Sequence, residues 1–259
     1  MIKNFLLKVY IYLKKKYIGF ELVDKNKINT EIKNSNYNYD NLLNLIIYKN
    51  KIFKKKNIKK NNNKYKIFKD IFINKKLIKI LDVGGGGGHK FYEFSKIFKK
   101  IFFWYNLETL SLVKLLKKKF PNEKNIKHIN NLRNLRNKID IILCDSSFQY
   151  IEKQKKFLDD LIALNSKYFY LSRTFMNHID NDQLCVMQQT LLSENGPGKI
   201  DNYMKDQIIS YPCYIYSSSK FKKQLSKNYK LIKFSIDNDD FIIINRQKYF
   251  CHEYLYKKK

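Results

Sequence analysis

The residues with the clearest chemical meaning lie in the stretch LDVGGGGGHK, Leu81 to Lys90, which holds five of the chain's eight glycines as Gly84 to Gly88. Glycine is needed where the backbone takes a positive φ or approaches a ligand with no Cβ in the way. Two glycine patterns compete. The dinucleotide fingerprint GxGxxG/A requires a third small residue, and in this chain that position falls on His89 or Lys90. A phosphate loop requires Gly-Lys-Ser/Thr, which does not follow. The spacing D-x-G-x-G-x-G fits at every position, through Asp82, Gly84, Gly86 and Gly88. Glu108 stands 20 residues after Gly88 at the end of the next apolar run. A carboxylate there can accept hydrogen bonds from the ribose hydroxyls of a bound nucleoside.

A second group of candidates is DSSFQY, Asp145 to Tyr150. Ser146 and Ser147 could contact the same ligand, or cap a following helix by accepting its free N–H groups. Gln149 and Tyr150 are candidates for a second substrate. Arg173 is one of only four arginines and closes a further apolar run. It suits an anionic acceptor group, or an ion pair with a neighbouring acid. His178 could serve an oxygen acceptor as a base, although a single loop histidine is more often simply solvated. Tyr211 follows a long insertion and is a further acceptor-side candidate. Cys144, Cys185, Cys213 and Cys251 lie 41, 28 and 38 residues apart without CxxC spacing, which predicts reduced thiols and no metal site.

The elements that must position these residues are legible in the texture of the chain. Apolar strand-like runs at 77–83, 101–107, 125–129, 139–144 and 167–172 alternate with amphipathic helix-like segments at 90–98, 109–120 and 153–164. This alternation predicts parallel βαβ units in an α/β fold with helices on both faces of the sheet. The glycine run then falls at the first strand-to-helix turn, beyond the carboxyl ends of the strands, where such sheets bind ligands. The runs at 229–235 and 241–246, separated by IDNDD, predict a C-terminal antiparallel hairpin. The divisions expected are a basic amphipathic helix over 1–24, a helical cap with a Lys/Asn-rich linker over 25–75, and a catalytic domain over 76–259. Within the last, 176–210 is too long for a connector and reads as a lid. The segment NYDNLLNLIIYKNKIF within the cap has helical spacing.

Composition bounds the function less tightly. The formal net charge is +29, which suits polyanions. Nearly all of it is lysine, in a chain equally rich in asparagine and isoleucine, a pattern of coding bias more than of phosphate recognition by arginine. Nucleic acid is therefore a disfavoured partner. The first twenty residues carry Ile2, Phe5, Leu6, Val9 and Leu13 at helical spacing among lysines. That stretch is too short and interrupted to span a bilayer, yet able to lie on an anionic one. A cytoplasmic protein, with peripheral contact to the inner face of the membrane through this helix, is expected.

The pattern around Asp82 resembles the first motif of class I S-adenosylmethionine-dependent methyltransferases. Further pieces resemble one bacterial group within that class: DVGGGGG at 82–88, WYNLE at 104–108, DSSFQYIE at 145–152, SRT at 172–174 and SYPCYIY at 210–216, with YNYDN at 37–41 upstream. The resemblance covers the chain from about Asn36 to its end. It implies a Rossmann-like, mostly parallel, seven-stranded sheet. It implies S-adenosyl-L-methionine as cofactor, held by Asp82, Gly84, Gly86, Gly88, Glu108, Ser146 and Ser147, with Gln149, Tyr150, Arg173 and Tyr211 facing the acceptor. Members of the group are encoded beside surface-polysaccharide biosynthesis enzymes, so a sugar, nucleotide sugar or lipid-linked glycan is the implied acceptor. The alternatives are an RNA-directed methyltransferase and a non-catalytic cofactor fold at a membrane surface. Asp145-Ser146-Ser147-Phe148 lacks the paired prolines of base N-methylating enzymes.

Overall fold

A computed structural model describes residues 19–23, 40–55, 65–135, 138–178, 183–197 and 207–259. The described strands are β1 (Phe20–Leu22), β2 (Leu77–Val83), β3 (Ile101–Leu107), β4 (Ile126–Ile129), β5 (Ile141–Asp145), β6 (Tyr168–Asn177), β7 (Leu184–Leu191), β8 (Ile208–Ser217), β9 (Tyr229–Ile244) and β10 (Gln247–Lys258). The helices are α1 (Asp40–Lys55), α2 (Ile67–Phe72), α3 (His89–Phe98), α4 (Leu110–Lys119), α5 (Gln154–Ala163) and α6 (Ser218–Ser226).

Strands β4-β3-β2-β5-β6 form a parallel sheet with β2 at its centre. Strand β2 reads as a continuous apolar run because both of its faces are covered, and from Ile80 to Val83 every residue is buried. Past β6 lies β10, antiparallel to it, and β9 pairs in turn with β10. These seven strands run in the largely parallel sense expected, but the sheet is larger than the seven strands expected. The sheet as a whole has ten strands, because β8 joins the far end of β6 and carries β7 and β1 with it.

On one face an aromatic layer of Phe68, Phe72, Phe94, Phe102 and Trp104 fills the space under α2 and α3. On the other, Phe148, Phe169, Phe221 and Tyr254 pack under α5 and α6. The helix expected within the cap is α1, whose Leu42, Leu43, Ile46 and Ile47 are buried against α4 and Tyr211.

Three expectations require correction. The proposed hairpin between 229–235 and 241–246 is a single strand, β9. Its IDNDD stretch does not turn the chain but bulges. Phe241 pairs with Phe250 and Asp237 with Cys251, leaving residues 238–240 unopposed. Asp237 Oδ1 accepts from the N–H groups of Asp239 (3.1 Å) and Asp240 (3.3 Å), which satisfies the bulge locally. The actual turn is Asn245-Arg246, both at positive φ, and the hairpin partner is β10. The helix expected over 1–24 does not include Phe20–Leu22, which pair with Val186–Gln188 of β7. The rest of that range apart from Gly19 and Val23, including the proposed membrane face, lies outside the described residues. Finally, the segment 176–210 is in part sheet: it contains the end of β6, all of β7 and the start of β8. No helix among the described residues is long and apolar enough to cross a membrane.

Candidate functional site

The glycine run links β2 to α3, and its backbone alternates. Gly84, Gly86 and Gly88 have φ of 63°, 60° and 84°. These are the positions marked by the D-x-G-x-G-x-G spacing, and the left-handed region is what non-glycine residues avoid there. The glycines between them are required by proximity instead. A Cβ on Gly85 would lie 2.3 Å from Asn106 Oδ1 and Asp82 Oδ2, and one on Gly87 would lie 2.5 Å from Asn50 Cγ.

Side chains from two elements hold this loop. At the end of β3, Asn106 Nδ2 donates to the Gly86 carbonyl at 2.7 Å, while the Gly86 N–H donates to Glu108 Oε1 at 2.5 Å. Both backbone polar groups of one glycine are thereby clamped from β3 and its exit. Asn106 is steadied by His128 Nδ1 at 3.1 Å. From α1, Asn50 Nδ2 donates to the Gly87 carbonyl at 2.5 Å, and Ile46 lies against Gly86. The buried Lys49 ties α1 to the turn after β7, donating to the carbonyls of Ser193 (2.7 Å) and Asn195 (2.6 Å).

Glu108 sits just ahead of α4, whose N-cap Thr109 accepts from the Leu112 N–H. Burial pushes its carboxyl up to about 7, against the lowering effect of the Gly86 and Thr109 N–H groups. Between pH 4.5 and 7 the folded chain therefore keeps a proton that the unfolded chain releases. Stability should fall across that window as pH rises, by about 3 kcal/mol. Glu108→Gln should flatten that part of the curve, as urea midpoints measured from pH 4 to 8 would show. A slope unchanged by the substitution would exclude the assignment.

Beneath the loop runs a line of buried charges. Lys90, in the first turn of α3, places Nζ 3.1 Å from Asp82 Oδ1 and 3.8 Å from Asp145 Oδ2. Asp145 Oδ1 in turn accepts from Arg173 Nε at 2.6 Å and from Ser172 Oγ at 2.8 Å. Burial alone would drive the Lys90 ammonium toward its neutral form, but the facing carboxylates of Asp82 and Asp145 hold it above the ordinary lysine range. Burial raises the Asp82 carboxyl despite Lys90.

The strand ends opposite the loop hold the other sequence candidates. Ser146, just past β5, and Arg173, on the neighbouring β6, both adopt positive φ, 57° and 48°, and the Ser146 N–H donates to the Ser172 carbonyl. Such non-glycine residues cost about 1–3 kcal/mol each and cluster where function demands it. Ser147 presses against Gly84 and precedes the short 3-10 turn Phe148–Tyr150, but its side chain makes no capping bond. The helix-cap reading of that serine is therefore overturned, and the next α-helix starts only at Gln154. Gln149 is buried, with Nε2 reaching the Arg173 carbonyl at 3.5 Å. For Arg173 the structure shows the ion-pair alternative. Its Nε is committed to Asp145, while its side chain remains 52% exposed.

Tyr150 and Tyr211 are drawn away from this line. Their rings meet edge to face at 5.3 Å, Tyr150 Oη donates to Gln188, and the Tyr211 hydroxyl donates to Asn195. Tyr211 is packed in the core between α1 and β8. The sequence reading missed Lys90, Asn106 and Asn50. Lys90 and Phe94 are both buried positions one turn apart on α3, so a lysine on an apolar helical stripe was the available signal. All four cysteines are free thiols, and no cluster of three or more metal-ligating side chains occurs among the described residues.

Besides Asn50 Oδ1 and Asp82 Oδ2, three buried oxygen atoms near the loop have no hydrogen-bond partner: Asn106 Oδ1, Ser147 Oγ and Gln149 Oε1. Two of the three can only accept, and a hydroxyl oxygen also can. A ligand presenting an ammonium and ribose hydroxyls would satisfy atoms of this kind, so the residues present fit S-adenosylmethionine. A groove of about 680 Å³ is lined by Leu107, the residue before Glu108, with Asn130, Leu132, Arg133, Phe157 and Asp160.

No family model matches the chain, and no curated protein matches it. Among solved structures it is similar to an S-adenosylmethionine-dependent methyltransferase from Clostridium acetobutylicum (15% identity, 75% of this chain and 92% of that one, TM-score 0.45). It is also similar to an S-adenosylmethionine-dependent methyltransferase from Aquifex aeolicus (15%, 77% and 92%, 0.44). A third is an S-adenosylmethionine-bound amino pentose methyltransferase from Micromonospora echinaspora (8%, 82% and 97%, 0.49). The architecture of this chain is a Rossmann-like α/β sheet with the glycine turn at its carboxyl edge.

Proposed function

We propose that this chain is an S-adenosylmethionine-dependent methyltransferase acting on a small-molecule acceptor, a sugar, nucleotide sugar or lipid-linked glycan. The observation that carries the reading is the glycine turn itself. Left-handed backbone falls at the three motif glycines, with Glu108 bound to the middle one. Bound there, the cofactor supplies a methyl group on a sulfonium, already a good leaving group, so the protein's task is alignment and exclusion of water.

Glu108 uses one lone pair on each oxygen for the Gly86 and Thr109 N–H groups and keeps others for a ribose diol. The neighbouring groove offers apolar walls, Leu107, Leu132 and Phe157, of the kind a base needs. Gln149 Nε2 reaches the Arg173 carbonyl, and the half-exposed Arg173 side chain suits an anionic group on the acceptor. Helix α1 lies against the loop at Gly86 and Gly87 through Ile46 and Asn50.

Calorimetry of the full chain with S-adenosylhomocysteine tests this. Saturable binding is expected, weakened at least about tenfold by Glu108→Ala, the loss of one to two hydrogen bonds to a charged group. A folded chain that binds neither S-adenosylhomocysteine nor S-adenosylmethionine would remove the reading.

A further inference from the structure

Away from the glycine loop, two histidines that are 74 residues apart in sequence meet. His178 follows the end of β6 and is exposed, while His252 lies in β10 at 1% exposure. Their Nε2 atoms are 3.2 Å apart and their ring centroids 4.7 Å apart. On the inner side, His252 Nδ1 lies 2.6 Å from the Tyr254 hydroxyl. We propose that His178 and His252 form a binding site for a borderline divalent transition cation such as Zn²⁺, with water completing the coordination.

The spacing supports this quantitatively. Two imidazole nitrogens at about 2.0–2.1 Å from a tetrahedral zinc stand about 3.3 Å apart. The pair is already at that separation, so insertion of the ion asks for ring rotation and no backbone movement. Imidazole suits zinc, copper and nickel, whereas magnesium and calcium prefer oxygen ligands. Histidine ligands commonly have their second nitrogen fixed by a partner, and Tyr254 fills that place for His252. Its hydroxyl can accept from Nδ1–H, which frees the Nε2 lone pair for the ion.

Burial, then His178 and then Lys222, hold His252 uncharged, lowering it to about 3. A neutral imidazole is the ligand form. The groups facing the pair are the Phe234 ring, 5.5 Å from His252, Phe250, 6.3 Å from His178, and Lys222, whose ammonium lies 4.3 Å over Phe234. Lys222 is the one like charge among them and opposes the cation.

Titration of the metal-free full chain with Zn²⁺, followed by calorimetry, tests the site. Wild type is expected to bind one more equivalent than His178→Ala, a surface substitution that leaves the fold and all four thiols in place. Tyr254→Phe should weaken that equivalent about tenfold, Lys222→Met should strengthen it, and Mg²⁺ should not compete. Substituting Co²⁺ should give the visible absorption of a low-symmetry nitrogen and oxygen site in wild type only. Equal zinc stoichiometry and affinity in wild type and His178→Ala would overturn the proposal, as would a titration unaffected by Lys222→Met and Tyr254→Phe together.

Discussion

Lys90→Met is expected to destabilise the chain by about 3–5 kcal/mol, the usual cost of stripping one partner from a buried charge pair. Lys90 is 3% exposed, and its ammonium stands between Asp82 and Asp145. Asp145 would retain Arg173, but Asp82 would be left fully buried with no cation beside it. The loss should be largest at neutral and higher pH. Asp82 already has its carboxyl raised by burial, so without Lys90 it would keep its proton further up the scale. The folded variant then binds a proton the unfolded chain gives up, and stability recovers as pH falls toward the ordinary carboxylate range. Urea denaturation at several pH values measures this. Adding Asp82→Asn should recover much of the loss, because removing both partners costs far less than orphaning one. If the single variant unfolds at the wild-type urea concentration, the buried chain of charges has been misread.

Gly84→Ala should cost about 2–5 kcal/mol, and the two parts can be separated. The residue's φ of 63° carries a penalty of about 1–2 kcal/mol for any L side chain. The new Cβ would stand 2.5 Å from Ser147 Cβ, and overpacking of that kind costs about 1–3 kcal/mol more. Gly86→Ala isolates the first part, since its φ is 60° but its nearest neighbour, Ile46 Cγ2, is at an ordinary 3.7 Å. Gly84→Ala with Ser147→Gly should fall to the same level as Gly86→Ala. Thermal or chemical denaturation of the three variants measures the difference. Equal losses for Gly84→Ala and Gly86→Ala would show that Ser147 yields without resistance.

The parallel half of the sheet was legible because its strands are buried on both faces and the turns between them are marked. Strands β2 and β3 fall at 77–83 and 101–107, the limits read from the apolar runs. Strand β9 was split because Asp237, Asp239 and Asp240 look like a turn. Only the pairing with β10 reveals that the chain passes through them extended. QKYFCHEYLYKK gave no strand signal, since its tyrosines and polar residues alternate irregularly around three register shifts. Strand β7, with Gln188 and Gln189 at its centre, likewise passed for part of a loop.

At the site, the motif residues declared themselves by spacing, because a positive φ has few sequence solutions. Lys90, Asn106 and Asn50 did not, because nothing local distinguishes a lysine or an asparagine whose partner arrives from another element. The histidine pair was hidden for the same reason.

The bulge at residues 238–240 has a meaning for the chain in crowded surroundings. Among the described residues strand β9 pairs only with β10, and it carries the exposed Leu231, Ile232, Phe234 and Ile243. A straight rim of that kind invites neighbouring molecules to stack edge to edge. The acidic kink interrupts the row midway, and the exposed Lys230 adds a charge that edge-to-edge pairing would have to bury. The short IDNDD stretch thus acts as a guard against fibre growth.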